Sequence, residues 1–197
     1  MTTRHVVALG GSLLRPEEAE QRTEWFGRLR QLAVHMEGNG RRLALVVGGG
    51  LPAREGISLA RALVSDTHRL DEVGIAATRL NATVIQQILL DIGCDVAPII
   101  PTTTSDAASL MDVHHIVIMG GTTPGHTTDA VAVALARDTG AVIVSLQPMS
   151  AMSSIWIQDT TKMPFPFPQC QLMNWLKLQG LVHHWLRVLL PSLTLLR

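Results

Sequence analysis

The chain has 197 residues, a length that suits one domain with a sizeable hydrophobic core. Its 16 Lys and Arg residues balance 16 Asp and Glu residues, so no overall field favours nucleic acid or an acidic membrane surface, and any anion site must be local. Cys94 and Cys170 lack disulfide or zinc-ligand spacing and indicate buried thiols in a reducing compartment. The N-terminus lacks the pattern of a secretory signal, so we expect a cytoplasmic protein that binds neither nucleic acid nor membrane.

Short apolar runs alternate with helical patterns along the chain. The predicted strands cover 5–9, 43–47, 96–100, 115–119 and 141–144. The predicted helices cover 16–37, 53–64, 71–92 and 129–138. The strands are short and rich in β-branched residues, which is typical of buried strands. The alternation predicts an α/β fold, a three-layer α/β/α sandwich whose central sheet is mainly parallel.

A first glycine cluster directly follows the first predicted strand. It consists of Gly10 and Gly11, followed by Ser12. Ligands of parallel sheets gather beyond the carboxyl ends of the strands, and the backbone amides of this turn suit a terminal phosphate. The same turn is also common as a plain connection between strand and helix, so the cluster alone is weak support for a site.

A second glycine cluster, Gly48 to Gly50, follows the second predicted strand. Arg54 comes four residues later, near the start of a predicted helix, where its guanidinium suits bidentate contact with phosphate. The alternative interpretation is a solvated helix arginine.

The segment 71–81 carries a third set of polar residues on a predicted helix. Asp71 suits hydrogen bonds from a sugar or base, while Thr78, Arg79 and Asn81 follow on the same helix. Taken singly, such residues more often form a solvated helix face or a helix cap.

The most informative stretch is the turn that follows the fourth predicted strand. It contains Gly120, Gly121, Thr122, Thr123, Pro124, Gly125, His126, Thr127, Thr128 and Asp129. The glycines allow close approach to phosphate oxygens, and the hydroxyls lie where a helix N-terminus favours negative charge. A carboxylate beside phosphates suits the organisation of charged groups around a transferring phosphoryl group. The stretch therefore predicts a site for a phosphorylated ligand.

Four segments, 8–14, 46–54, 71–81 and 117–132, together resemble the amino-acid kinase superfamily and, within it, the archaeal-type uridylate kinases. The resemblance covers about residues 4–144. It implies the amino-acid kinase fold and transfer of the γ-phosphoryl group of ATP to UMP, with Mg²⁺, giving UDP for pyrimidine nucleotide (CTP) synthesis. It also implies a homo-oligomer, commonly a hexamer.

The resemblance further implies roles for single residues. Gly10, Gly11, Ser12, Gly50 and Arg54 would contact ATP; Gly49, Asp71, Thr122, Thr123, Pro124, Gly125, His126, Thr127 and Thr128 would surround UMP. Asp129 and Arg54 would be the catalytic residues. Because a phosphate oxygen of UMP is already nucleophilic, Asp129 is an organiser of charge rather than a base.

Two details qualify these roles. His126 either binds the UMP phosphate or braces its loop. Many kinases of this superfamily have a lysine two residues before the first glycine, but Ala8 stands there in this chain. The positive charge must then come from Arg54, from magnesium or from elsewhere.

The chain departs from the family pattern after Val144. Family members continue with Ala-Thr-Asn-Val-Asp-Gly-Val-Tyr and a later Asp-Pro, which line the ATP base and ribose site, whereas this chain contains no tyrosine. A permitted codon choice for residues 146–150, read two bases on, encodes Ala-Thr-Asn-Val, and the same offset at 154–158 encodes Tyr-Met-Asp-Pro. We therefore divide the chain into a kinase core, 1–144, and a divergent tail, 145–197. The tail is either frameshifted or a genuine accessory segment, which leaves the C-terminal part of the fold atypical or incomplete.

Two functions of different kinds remain open from the sequence. One is an ATP-dependent UMP kinase. The other is a catalytically impaired UMP-binding protein of the same fold, because the segment expected on the ATP side is replaced. An anion-binding or storage relative would also suit the fold, but not the segment 123–129.

Overall fold

The structure, a computed structural model, describes residues 3–15, 19–146 and 156–159. The strands are Arg4–Leu9 (β1), Arg42–Val47 (β2), Ile116–Met119 (β3), Val142–Leu146 (β4) and Trp156–Asp159 (β5). The helices are Ala19–Gly38 (α1), Gly50–Arg61 (α2), Thr67–Asp91 (α3), Thr104–Leu110 (α4) and Thr128–Thr139 (α5), with a short 3-10 helix at Gly11–Leu14.

The strands form one sheet in the order β3-β2-β1-β4-β5. The first four strands in this order are parallel, and β5 pairs antiparallel with β4. In the central pair, β1 and β2 are in register from Arg4 opposite Arg42 to Leu9 opposite Val47. The carboxyl ends of β1, β2 and β3 therefore lie side by side at one edge of the sheet, and the loops that follow them emerge together.

Successive residues of the parallel strands supply two separate hydrophobic cores, because alternate side chains point to opposite faces of a sheet. On one face, Val7 and Leu45 pack with residues of α1 and α3, including Leu29 and Ile85. The core on the other face includes Val6, Ala8, Ala44, Val46, Val117 and Met119 from the strands, Ala107 from α4, and Val131, Ala132 and Leu135 from α5. Helices on both faces confirm the predicted three-layer sandwich and mainly parallel sheet.

The prediction of a strand at 96–100 is wrong. Only Val96 pairs with Ile116, in an isolated parallel bridge, and the backbone N–H of Ala97 donates to the carbonyl of Ile116. Pro98 follows at once and has no N–H to continue the ladder, so the pairing ends after one residue.

Three elements were missing from the sequence prediction: α4, β5 and the 3-10 helix. The start of α4 does carry a sequence signal. Thr103 caps the helix by accepting a hydrogen bond from the backbone N–H of Asp106 at 3.1 Å, and its hydroxyl donates to the Asp106 carboxylate at 2.7 Å. A threonine followed three residues later by an acidic residue is a capping pattern.

Helix α3 is long and apolar enough to cross a membrane, judged by length and composition alone. Of its most apolar stretch of 18 residues, 39% is buried inside the protein. It contributes Ala82, Ile85 and Leu89 to the core and packs against α2. A core helix of a folded domain can be equally long and apolar, so the length and hydropathy of α3 are weak support for a membrane span.

The predicted tail, 145–197, lies outside the described residues except for 145–146 at the end of β4 and 156–159, which form β5. Residues 16–18 of the first predicted helix also lie outside them, and α1 is described from Ala19.

Candidate active site

The loops after β1 and β2 touch through their backbones. A Cβ atom added to Gly11 would lie 2.3 Å from the backbone nitrogen of Gly50 and 2.4 Å from the carbonyl oxygen of Gly48. Gly50 has a φ of 58°, in the left-handed region that favours glycine, and a Cβ there would lie 2.5 Å from the carbonyl carbon of Gly11. Glycine is therefore required on both sides of this contact. The predicted sites at Gly10–Ser12 and Gly48–Gly50 are brought together.

Helix α3 supplies polar side chains that hold two of the loops. Thr78 Oγ1 accepts a hydrogen bond from the N–H of Gly121 at 2.6 Å, in the loop after β3. Asn81 Nδ2 donates to the carbonyl oxygens of Gly48 at 2.9 Å and Gly49 at 3.0 Å, in the loop after β2. Asn81 is only 1% exposed, so the interpretation of a solvated helix face is wrong for this residue.

The sequence prediction assigned no individual role to Thr78 or Asn81. Their spacing relative to Asp71, seven and then three residues along the helix, was the available signal, because these intervals place the three side chains on one helix face.

The loop after β3 folds back onto the start of that same helix face. Its Gly125 has a φ of 84°, and the backbone N–H of Gly125 donates to Asp71 Oδ2 at 2.8 Å. Thr123 and His126 form a turn: the N–H of His126 donates to the carbonyl of Thr123 at 3.3 Å, and Thr123 Oγ1 lies 3.0 Å from His126 Nδ1. The imidazole contact is of the kind expected from a side chain that braces its loop. Thr122 and Pro124, the remaining members of the turn, are partly buried.

Helix α5 begins at the end of this loop. Thr127 caps it, accepting a hydrogen bond from the N–H of Ala130 at 3.2 Å. The next residue, Thr128, lies against the loop after β2, since its Oγ1 would be 3.1 Å from a Cβ on Gly48. Asp129 is exposed in the first turn. The α5 N-terminus thus presents the Thr128 hydroxyl to the loop after β2, and Asp129 follows it in the first turn of the helix.

Arg54 is exposed on α2, in the second turn after Gly50. Its position on the helix that starts from the second glycine loop leaves the guanidinium accessible to solvent. Within residues 3–15, 19–146 and 156–159, no cluster of three or more His, Cys, Asp or Glu side chains is suited to hold a metal ion.

The ionisable groups with displaced pKa values lie near the opposite, amino-terminal edge of the sheet. Burial and, to a smaller extent, the nearby Arg41 lower the pKa of His5, near the start of β1, from 6.5 to about 4. Before β3, burial tends to raise the pKa of Asp95, but hydrogen bonds involving His114 and His115 outweigh it and bring that pKa to about 2. These groups are separate from the glycine loops.

The part of the chain that matches a known protein family runs from β1 to the end of β4. Residues 3–146 match the amino acid kinase family. The chain belongs to this family. The matched range contains β1 to β4 and the loops after β1, β2 and β3, so the family match covers the candidate site.

Individual members of the amino acid kinase family resemble the chain at about 40% identity. The uridylate kinase of Methanospirillum hungatei is 39% identical over 161 residues, which cover 81% of this chain and 64% of that relative. The uridylate kinase of Methanocaldococcus jannaschii is 40% identical over 134 residues, which cover 68% and 58%. The chain thus spans less than two thirds of the length of these relatives.

Solved structures of uridylate and UMP kinases have a fold similar to that of this chain. The uridylate kinase of Archaeoglobus fulgidus superposes with a TM-score of 0.61 at 37% identity, covering 73% of this chain and 63% of that one. The UMP kinase of Bacillus anthracis superposes with a TM-score of 0.59 at 23% identity, covering 74% and 64%, and this similarity concerns the fold alone.

Proposed function

We propose that the protein is a uridylate kinase that transfers the γ-phosphoryl group of ATP to UMP, giving UDP for pyrimidine nucleotide synthesis. One structural observation carries the proposal. The loops after three neighbouring parallel strands converge at one sheet edge, with Gly11 and Gly50 in backbone contact and Asp71 holding Gly125. Identity near 40% to proteins named uridylate kinase supports the choice of UMP within the family.

The proposed reaction needs alignment and charge neutralisation more than acid–base chemistry. A phosphate oxygen of UMP forms a bond to the γ-phosphorus of ATP, the bond from that phosphorus to the β,γ-bridging oxygen breaks, and ADP leaves. Backbone amides of Gly10–Ser12 and Gly50 would hold the ATP phosphates, while Gly49, Asp71 and the loop 122–128 would hold UMP. Donors fixed in advance stabilise the charge that spreads over the transferring group.

Two charged side chains are proposed to act at the reacting centre. Arg54 would bring positive charge to the phosphates in place of the lysine that Ala8 replaces. Asp129 would orient the groups around the transferring phosphate. Mg²⁺ usually keeps several waters and is bound through substrate phosphates and one or two carboxylates. The exposed Asp129 would supply one such carboxylate. When bound, the ion would neutralise charge on the phosphates.

We also propose that the protein is a cytoplasmic homo-oligomer, a hexamer by family resemblance. Large apolar side chains exposed on α2, just after it and on α3 support self-association: Leu59 is 81% exposed, Leu63 96% and Leu80 54%. Multi-angle light scattering of the purified chain would test the subunit number, and a monomer at micromolar concentration would contradict this part of the proposal.

For the tail, we propose that residues from about 145 onward are out of frame with respect to the family pattern. Resequencing the gene across the codons for Val142 to Pro148 tests this directly. A missing or extra base would support the frameshift, and confirmation of the printed sequence would make the tail genuine.

The function is tested by UMP binding and UDP formation with the purified chain. Calorimetry should detect UMP binding stronger than CMP or AMP binding, and incubation of UMP with γ-labelled ATP should yield labelled UDP. Asp129→Asn should lower the rate at least about 100-fold, because a charge that organises the transition state is lost. Asp138→Asn, an exposed acid on the same helix, is the matched control and should leave the rate unchanged.

The two measurements separate the possible outcomes. UMP binding without labelled UDP would mean that the chain is an impaired UMP-binding protein. Absence of any preference for UMP would overturn the proposed substrate.

A further inference from the structure

We propose that Asn81 is a positioning residue, which aims the backbone N–H groups of Gly49 and Gly50 at a ligand phosphate. This inference deepens the proposed function and rests on it. No step requires Asn81 to touch the ligand, since the residue acts through the glycine loop that it holds.

Both the nitrogen and the oxygen of the Asn81 side-chain amide form hydrogen bonds. Its two N–H groups are directed at two successive carbonyls, those of Gly48 at 2.9 Å and Gly49 at 3.0 Å. Its Oδ1 accepts a hydrogen bond from Arg15 Nη2 at 3.2 Å. An arginine can only donate and a carbonyl can only accept, so the amide has one orientation that satisfies all three neighbours.

Holding these two carbonyls fixes the direction of the next two amides. In a trans peptide, the C=O of one residue and the N–H of the next point in opposite directions. The N–H groups of Gly49 and Gly50 must therefore point away from Asn81 and α3.

The backbone angles of the two glycines agree with that conclusion. Gly49 is right-handed, with φ −76° and ψ −36°, and Gly50 follows with a positive φ of 58°. A right-handed residue followed by a left-handed one turns successive N–H groups toward a common point, a concave arrangement that binds anions. Asn81 supports this arrangement from behind.

Asn81 lies on the same helix as the two side chains that hold the loop after β3. The same helix holds Gly121 through Thr78 and Gly125 through Asp71. The loop after β2 and the loop after β3 are thus both anchored to one rigid element, which is how a site keeps its groups at fixed separations. Asn81 is the member of this helix face that anchors the amides of the second glycine cluster.

The test replaces the donors without changing the shape of the side chain. Asn81→Asp puts a carboxylate oxygen in the place of Nδ2, opposite the carbonyls of Gly48 and Gly49, and the repulsion should turn these peptides away. Arg15 lies beside the new charge and should help the variant to fold. We expect the Kd for UMP, measured by calorimetry, to rise about tenfold or more, because the N–H groups of Gly49 and Gly50 would no longer point at the phosphate.

A matched control lies on the same helix. Gln86 is 4% exposed, and its Nε2 donates to the carbonyl of Ala97 at 2.8 Å, away from the glycine loops. Gln86→Glu therefore removes an equivalent buried donor and should lower stability, while the Kd for UMP stays within about twofold of the wild type. Equal effects of the two substitutions on the Kd would overturn the inference, because Asn81 would then be merely structural.

A second measurement needs no variant and keeps the inference testable if Asn81→Asp fails to fold. Inorganic phosphate is titrated into ¹⁵N-labelled wild-type protein. The amide protons of Gly49 and Gly50 should move downfield as the site saturates. A saturating titration that leaves both resonances unmoved would overturn the inference.

The design distinguishes failure of the inference from failure of the proposed function. If wild-type protein binds UMP and folded Asn81→Asp binds it equally well, the role of Asn81 is wrong and the proposed function stands. If wild-type protein shows no preference for UMP, the proposed function fails, and the phosphate titration still decides whether the two amides form an anion site.

Discussion

The carboxylate of Asp71, near the start of α3, accepts a hydrogen bond from the backbone N–H of Gly125 at 2.8 Å. This bond joins residues 54 positions apart and ties the loop after β3 to the helix face that also holds the loop after β2. The bond uses Asp71 Oδ2, and a carboxylate has further lone pairs with which to accept hydrogen bonds from a ligand.

The first prediction concerns this contact. Asp71→Ala removes the acceptor and should release Gly125, so the Kd for UMP, measured by calorimetry, should rise about tenfold. Glu72→Ala removes the neighbouring exposed carboxylate and is the control for charge. An unchanged Kd in Asp71→Ala, or an equal change in Glu72→Ala, would show that the Asp71–Gly125 bond does not shape the UMP site.

The second prediction concerns the backbone contact between the first two glycine loops. Gly11→Ala places a methyl group 2.3 Å from the nitrogen of Gly50, and a backbone atom cannot move aside cheaply. We expect a loss of roughly 1–3 kcal/mol in the free energy of unfolding, typical of overpacking, together with weaker nucleotide binding. Urea unfolding and calorimetry measure the two effects.

Gly27→Ala is the control for that substitution. Gly27 lies inside α1, and a Cβ there meets no atom within 4 Å. Alanine should therefore stabilise the helix by about 0.5–1 kcal/mol without altering nucleotide binding. If Gly11→Ala behaved like Gly27→Ala, the tight contact between the loops would be wrong.

Much of the fold follows from the sequence because buried parallel strands are continuous apolar runs and the helices between them are amphipathic. The strand at 96–100 failed because its apolar residues resemble a strand, whereas Pro98 cannot continue a ladder. Helix α4 was missed because seven residues are too few to show a period, and its signal lies in the cap instead.

Part of the candidate site could also be predicted from the sequence, and part could not. The glycine loops were predictable because parallel topology places every strand-end loop at one edge. The bonds that fix those loops were not, since Asn81 contacts a carbonyl 33 residues away and a buried amide looks in sequence like any polar helix residue. Only the fold reveals that Asn81 faces inward.

The third prediction tests the cap that the sequence pattern concealed. Thr103→Ala removes the acceptor for the N–H of Asp106 and should lower the free energy of unfolding by about 1 kcal/mol. Thr102→Ala, at the neighbouring exposed position outside the helix, should change it by less than about 0.5 kcal/mol. Equal urea midpoints for the two variants would argue against the cap.

The last prediction concerns pH and the buried imidazole of His5, which is 2% exposed in the first strand of the sheet. Burial and Arg41 lower its pKa from 6.5 to about 4, so the unfolded chain binds a proton more readily than the folded protein. By linkage, stability is full above pH 6.5 and falls as the pH drops from 6.5 toward 4, by up to about 3 kcal/mol. Urea unfolding at half-unit pH steps measures this loss.

His5→Leu removes the titrating group and should flatten the stability curve between pH 4 and 6.5. The control is His68→Gln, on the exposed surface near the start of α3, which should leave the curve as steep as in the wild type. Asp95 does not contribute to the slope between pH 4 and 6.5. Hydrogen bonds outweigh the effect of burial and lower its pKa from 3.8 to about 2, so the stability that depends on Asp95 is lost below pH 4. A curve that stays steep in His5→Leu would assign the acid sensitivity to other groups and contradict the buried, neutral His5.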